Sequence, residues 1–347
     1  MPAAQQNRKT LIAMILVPVV IALALLAFVW PAARLAPRDL PVGVAGPPNA
    51  TAQLAQQLGA RGDAFDVTSY DTEAQAREAI KDRDIYGAFV VTDQGPKVLT
   101  ATAASPTVAQ LLTTAATEQA PEGAKVTTAD VVAAPATDPR GSALGSSVLP
   151  MALAGVMAGA AVTMMGLRGT RAVIALVGAA AGIGLVGAAI ADSWLGILTG
   201  DWWAEAGAFG LTALAGSAAV AGFAALLGPA GIGVGALFNV FLGNPFSGLT
   251  SAPEMLPQPF GMLGQWLPPG AGGQLLRSVA FFDGSAASGP VLVLGIWAGA
   301  GLLLVTLGSL VQRRRTDGGP TVVARSAEED EAVEPLLAMN PAAPAGQ

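Results

Sequence analysis

Residues able to do chemistry are scarce in this sequence, and the missing types are as informative as those present. The 347 residues include no histidine and no cysteine. That excludes disulfides, thiol catalysis, Cys or His metal sites and a Ser-His-Asp triad. It also leaves cysteine usage silent about redox compartment. Asp82 and Asp84 flank Arg83 and follow Lys81. Carboxylates alone can hold a hard cation, but this mixed run reads first as a solvated helix end. Asn49-Ala50-Thr51 fits the glycosylation acceptor pattern, a short and weak signal. None of the four lysines (Lys9, Lys81, Lys97, Lys125) follows a GxxxxGK[ST] loop, so ATP hydrolysis by that route is excluded. An enzyme is not expected, and no cofactor or metal is implied.

What remains is a membrane-like composition. Hydrophobic residues make up 52% and charged residues 12%, against about 25% charged in soluble domains. Mean hydropathy is +0.55. The formal net charge of −6 and the lack of a basic patch argue against nucleic acid as a partner. Residues 11–30 form a charge-free tract preceded by Arg8 and Lys9. At about 1.5 Å per residue it crosses a hydrocarbon core of roughly 30 Å. The apolar core of a signal peptide is shorter, about 7–15 residues, so an uncleaved anchor is expected. Further charge-free tracts lie at 146–167, 172–191 and 290–311. A longer one, 207–253, fits two spans, 207–227 and 229–243, broken near Gly228-Pro229. The pattern predicts a polytopic α-helical membrane protein with six transmembrane helices.

Charge sets the expected orientation. Arg8 and Lys9, then Arg168 and Arg171, then Arg313, Arg314 and Arg315 all fall on one side of six spans. The opposite short loop carries Asp192, Asp201 and Glu205 without Lys or Arg, and the late loop has Glu254 and Asp283 against Arg277. The positive-inside rule then predicts cytoplasmic termini in a cell-membrane protein. Residues 1–10 form the inner N-terminus. Residues 31–145 form an extracytoplasmic domain between the first and second spans.

That domain reads as alternating elements: strands at 41–46, 65–71, 85–92, 97–103 and 126–133, helices at 50–60, 72–83 and 106–119. Thr72 is a plausible N-cap. The alternation predicts an α/β or α+β layer. Within 146–312, the five-helix membrane domain, residues 244–288 are apolar and rich in Pro and Gly. They carry Trp266, Phe281 and Phe282, and predict a re-entrant or interfacial segment with its aromatics at headgroup level. The tail 313–347, with its acidic run Glu328–Glu331, has no core-forming pattern and is expected to be disordered.

The six expected spans contain no ionisable residue, which argues against a self-powered proton or ion antiporter. Asn239 and Asn244 could line a path, or could bond between helices or cap an end. Gly155/Gly159, Gly178/Gly182 and Gly295/Gly299 form GxxxG pairs, and Gly231, Gly233 and Gly235 another small face, suggesting close packing within one chain or across two.

One anchor, a large external domain and five further spans with an apolar outer hairpin before the last resemble the ABC-2-type permease superfamily. Within it, the chain is most similar to the branch containing the phage infection protein. The similarity rests on LPVGVAG, REAIKDRDIYGAFVVT, DPRGSALGSSVLPMALAG, NPFSGLTSAPEMLP and LPPGAGGQLLRSVAFFDG. It implies the membrane half of an exporter, usually a homodimer in the lipid bilayer, driven by a separate ATP-binding subunit. The substrate would be hydrophobic or amphipathic. The loop Arg168, Gly169, Thr170 and Arg171 would couple to that ATPase, although the pair of arginines also suffices as a topology anchor. The chain departs from the pattern in its short N-terminus and short inner loop. The short inner loop favours the alternative, a non-transporting surface receptor or envelope scaffold whose outer domain binds a partner, whereas five closely packed spans disfavour it, because one anchor would suffice.

Overall fold

The computed structural model describes residues 3–60, 62–92, 95–120 and 125–317. Helix α1 (Ala3–Ala32) leads directly into a sheet domain. Its elements are β1 (Leu40–Ala45), α2 (Pro48–Gly59), β2 (Phe65–Tyr70), α3 (Glu73–Lys81), β3 (Gly87–Thr92), β4 (Gly95–Thr100), α4 (Pro106–Gln119) and β5 (Thr127–Asp130). The strand order is β2-β1-β3-β4-β5. All neighbours run parallel except β3 and β4. These elements fall within a few residues of their expected positions because each carries its own local signal. Strand residues alternate between two faces. Val42, Val44, Phe89 and Val98 pack with Leu58 of α2 and Leu112 of α4. Ala45, Ala88, Val90 and Leu99 pack with Ala76 and Ile80 of α3. The result is a three-layer α/β sandwich, which decides between the two layer types.

Thr72 does cap α3. Its hydroxyl accepts from the Gln75 N–H at 3.2 Å, and the Gln75 side chain accepts from the Thr72 N–H at 3.2 Å, a reciprocal capping box. Gly87 lets α4 lie close on the sheet: a Cβ there would stand 2.5 Å from the Leu99 carbonyl oxygen and 2.6 Å from Leu112.

The remaining helices are α5 (Ser142–Met164), α6 (Thr170–Ala188), α7 (Trp202–Leu227), α8 (Pro229–Ala236), α9 (Phe260–Gln265), α10 (Pro268–Phe281) and α11 (Ser288–Asp317). π-helical turns extend α6 over Ala189–Trp194 and α8 over Leu237–Leu242. Among the described residues, five helices are long and apolar enough to cross a membrane: Thr10–Ala32, Ser142–Met164, Thr170–Trp194, Trp202–Leu227 and Ser288–Leu310. The tract expected as a sixth, 229–243, is shorter than the others. Its eight α-helical and six π-helical residues rise by roughly 20 Å, less than a hydrocarbon core of about 30 Å.

Span limits also differ from the charge-free tracts, because helices continue through charges that pack or cap. The helix expected at 207 starts at Trp202 and contains Glu205, and the one expected to end at 191 contains Asp192. The apolar spans are therefore not free of ionisable residues. Helix α11 runs through 313–317, where a disordered tail was expected. Residues 318–347 of that tail lie outside the described residues.

Helix α7 is the axis of the bundle. Of its most apolar window 61% is buried, against 22–29% for the spans around α5, α6 and α11 and 0% for α1. Its neighbours approach through small residues. A Cβ on Gly155 would lie 3.3 Å from Gly216, one on Gly184 2.4 Å from the Ala206 carbonyl oxygen, and one on Gly301 2.3 Å from Ala218. Such near-backbone contact is how apolar helices associate where burial from water supplies no drive. Of the three GxxxG pairs, Gly155/Gly159 is used this way, while Gly178/Gly182 and Gly295/Gly299 face open space.

Candidate functional site

The two ends of the bundle are built differently. At one end lie the α5–α6 turn, Gly228 between α7 and α8, and the α11 stretch around Ser309. They enclose a cavity of about 290 Å3 lined in part by Gly166, Arg168, Pro229 and Ser309. Arg168, Thr170 and Arg171 are exposed. Gly169 has φ +55 and closes the turn against Ser309, so the turn itself presents only a few residues. Helix α6 starts at Thr170, so only Arg168 and Gly169 of the predicted loop are non-helical.

At the other end, residues 244–288 clasp the sheet domain. Ala252 and Met255 enter the core on the α2/α4 face of the sheet. Phe282 enters the core on the α3 face and is 4% exposed, with Phe281 packed beside it. Phe282 is therefore a core side chain, with Phe281 half-buried beside it. Trp266, by contrast, is 62% exposed.

Polar contacts stitch the same joint. Arg38 Nη1 donates to the Met255 carbonyl at 3.0 Å. The Tyr86 hydroxyl donates to Glu254 Oε2 at 2.9 Å. Arg83 donates to the Gln274 carbonyl at 3.1 Å and to its Oε1 at 2.6 Å. Its guanidinium carbon stands 5.3 Å from the centre of the Phe282 ring. Arg83 is thus no solvated helix end. Its φ of +66 lets the chain turn after α3 and carries the side chain into the joint. Arg277 is 3% exposed and donates from Nη2 to the Leu249 carbonyl at 2.9 Å. Its Nε and Nη1 are buried without partners.

Burial dominates the electrostatics here, because taking a charge out of water favours the neutral form. Desolvation, with Arg83 nearby, lowers the Arg277 pKa to about 10. Desolvation also lowers that of Arg83, which Tyr86 and Glu254 partly offset. Burial first and the Glu254 carboxylate second raise the Tyr86 phenol above its ordinary value.

The joint continues into the bundle. Asp138 is 5% exposed. It accepts from the N–H groups of Ser142, Ala143 and Leu144 at 2.9–3.2 Å, satisfying the first turn of α5 where negative charge is favoured. Glu205 is fully buried, accepts from the Gly200 N–H at 2.9 Å through Oε1, and leaves Oε2 without a partner. Neither carboxylate stands out in the sequence. An Asp a few residues before a long apolar tract was the available signal for Asp138.

Asn239 is 1% exposed and donates to the Gly235 carbonyl at 2.9 Å. Its Oδ1 lies where a Cβ on Gly216 would approach to 2.9 Å, so it packs where α5, α7 and α8 meet. Asn244 is half-buried beyond the π-turn, and its carbonyl accepts from Ser247. Thr51, in the acceptor-like tripeptide, is 6% exposed and bonds back to the Pro48 carbonyl within α2. Among the described residues no group of carboxylates is placed to hold a metal ion, Asp82 and Asp84 included.

Set against known proteins, residues 8–140 match the family model described as ABC-2 family transporter protein. The match covers α1 and the sheet domain, less than half of the chain, and stops just before α5. Over that part the chain is similar to ABC-2 family transporter proteins, and the described residues include five apolar helices of spanning length. No curated protein and no solved structure matches the chain.

Proposed function

We propose that the chain is the membrane-spanning permease subunit of an exporter for a hydrophobic or amphipathic substrate. A separate ATP-binding subunit powers it, and it is not an enzyme. The observation that carries this reading is the match of residues 8–140 to the ABC-2 transporter family. The sheet domain and residues 244–288 face the outside of the cell membrane, and both termini face the cytoplasm. Six crossings result: the 229–242 helix, short of a full hydrocarbon core by itself, completes the fifth together with the chain that follows it into 244–288. Arg168, Gly169, Thr170 and Arg171 form the ATPase-coupling loop beside the cavity under Ser309. Asn239 and Asn244 are the polar residues beside the path. The open Gly178/Gly182 and Gly295/Gly299 faces support a homodimer. Kinship to the phage infection protein branch belongs to the same proposal.

The small surface of the α5–α6 turn favours a second reading. In it the outer sheet domain binds a partner, and the bundle serves as its scaffold. Purification in mild detergent from the native host, with mass spectrometry of what co-elutes, separates the two. A stoichiometric ATP-binding subunit is expected, with ATPase activity falling at least ~10-fold in Arg168→Ala/Arg171→Ala. An envelope protein in its place would support the scaffold.

A further inference from the structure

A cavity of about 870 Å3 opens between the sheet domain, residues 253–274 and the start of α11. Its size lies within the roughly 300–1,000 Å3 of small-molecule sites. Neither the family match nor the coupling loop accounts for it. We propose that it holds one bilayer phospholipid with an ethanolamine head, bound from the membrane side.

Three observations define that occupant. The first is the mouth. Met262, Trp266 and Leu292 line the cavity and are 57%, 62% and 65% exposed. Leu292 also begins the outward apolar stripe of α11 that continues through Ile296, Leu303, Leu307 and Leu310. Spacings of three, four and seven keep these residues on one helix face. An acyl chain lying along that stripe therefore runs into the cavity without crossing water.

The second is the charge of the inner wall. It carries the guanidinium groups of Arg38 and Arg83 and the carboxylates of Asp39, Asp84 and Glu254. A wall with both signs and no cationic excess suits a zwitterion. Phosphate faces the arginines, and an ammonium faces the carboxylates. An anionic head would meet three carboxylates.

The third is the kind of acceptor on that wall. Asp39, Asp84 and Glu254 line the cavity, and a carboxylate takes its strongest hydrogen bonds from a charged N–H donor. An ethanolamine ammonium has three N–H groups to give, and a choline head has none.

The test uses the full chain purified in mild detergent. It is offered equimolar phosphatidylethanolamine, phosphatidylcholine and phosphatidylglycerol with identical palmitoyl-oleoyl chains and examined by native mass spectrometry. One retained phosphatidylethanolamine per chain is expected, favoured over the choline lipid by about 10-fold, or ~1.4 kcal/mol. Leu292→Trp should fill the mouth and abolish retention. Met262→Trp, on the short exposed α9, serves the same purpose if the α11 variant misfolds. Equal retention of the three lipids, preference for phosphatidylglycerol, or undiminished retention in a folded Trp variant would overturn the assignment. The result does not depend on whether the chain transports anything.

Discussion

The clasp end of the bundle and the α5–α6 end differ in what they leave unfinished. At the clasp, one segment serves three structures. Residues 244–288 fill the cores on both faces of the sheet, pair with Arg38, Arg83 and Tyr86, and pack on α7 through α10. At the opposite end α5 and α6 are joined by only five residues, 165–169, and Arg168 and Arg171 beside the turn are exposed. The sheet domain is therefore tied to the bundle and should move with it. In the proposed function, the sparse end is where the ATP-binding subunit docks.

The comparison is broken most severely at Phe282. Phe282→Ala should destabilise the detergent-solubilised protein by about 3–5 kcal/mol. A melting temperature within error of the parent would mean that the clasp is not part of the core. Next is Tyr86→Phe, which deprives Glu254 of its donor and should cost about 1.5–3 kcal/mol, read by denaturant titration. Glycine contrasts sharpen the account inside the membrane. Gly184→Val forces a side chain against the Ala206 carbonyl, at a cost of about 1–3 kcal/mol. Gly178→Val meets open space and should leave the monomer's melting temperature unchanged, so any loss there would appear in the oligomeric state by light scattering.

The smallest effect is at Glu73, on the sheet-domain surface. Hydrogen bonding to Lys97 first, and then to Arg77, holds its carboxyl below the ordinary value despite partial desolvation. The ion pairs at 2.7–2.8 Å then stabilise the fold above about pH 4.5 and are lost as pH falls through the lowered folded value. The pair is mostly screened by solvent, so Glu73→Gln should remove no more than about 1 kcal/mol. Its melting temperature should converge on the parent's as pH falls through the lowered folded value.

Much of the fold is legible in the sequence because its signals are local. The sheet domain's strands alternate, Thr72 and Gln75 spell a capping box, and five apolar tracts have spanning length. What escapes the sequence is long-range. The Pro- and Gly-rich 244–288 segment looks like lipid-facing chain because apolar residues buried in a partner domain and those bathed in lipid have the same composition. Phe282 and Trp266 are alike on that scale and opposite in the structure. Arg83 reads as a solvated helix end and Arg277 as a loop charge, and only the tertiary contacts with Gln274 and Leu249 reveal a half-buried donor and a buried one. Glu205 is missed because a span was drawn to exclude charge, whereas the helix begins one turn earlier and buries it. Of the candidate site residues, Arg168 and Arg171 stand exposed. Asn239 is engaged in packing that spacing alone could not separate from a path.

The central claim is that the two ends of the bundle face opposite sides of the membrane. The natural absence of cysteine makes that measurable without altering the background. Thr114→Cys on exposed α4 and Thr170→Cys at the start of α6 should be treated, in intact cells, with a membrane-impermeant maleimide. The account predicts labelling of Thr114→Cys in intact cells and of Thr170→Cys only after permeabilisation. Labelling of both from the same side, or the reverse order, would contradict it.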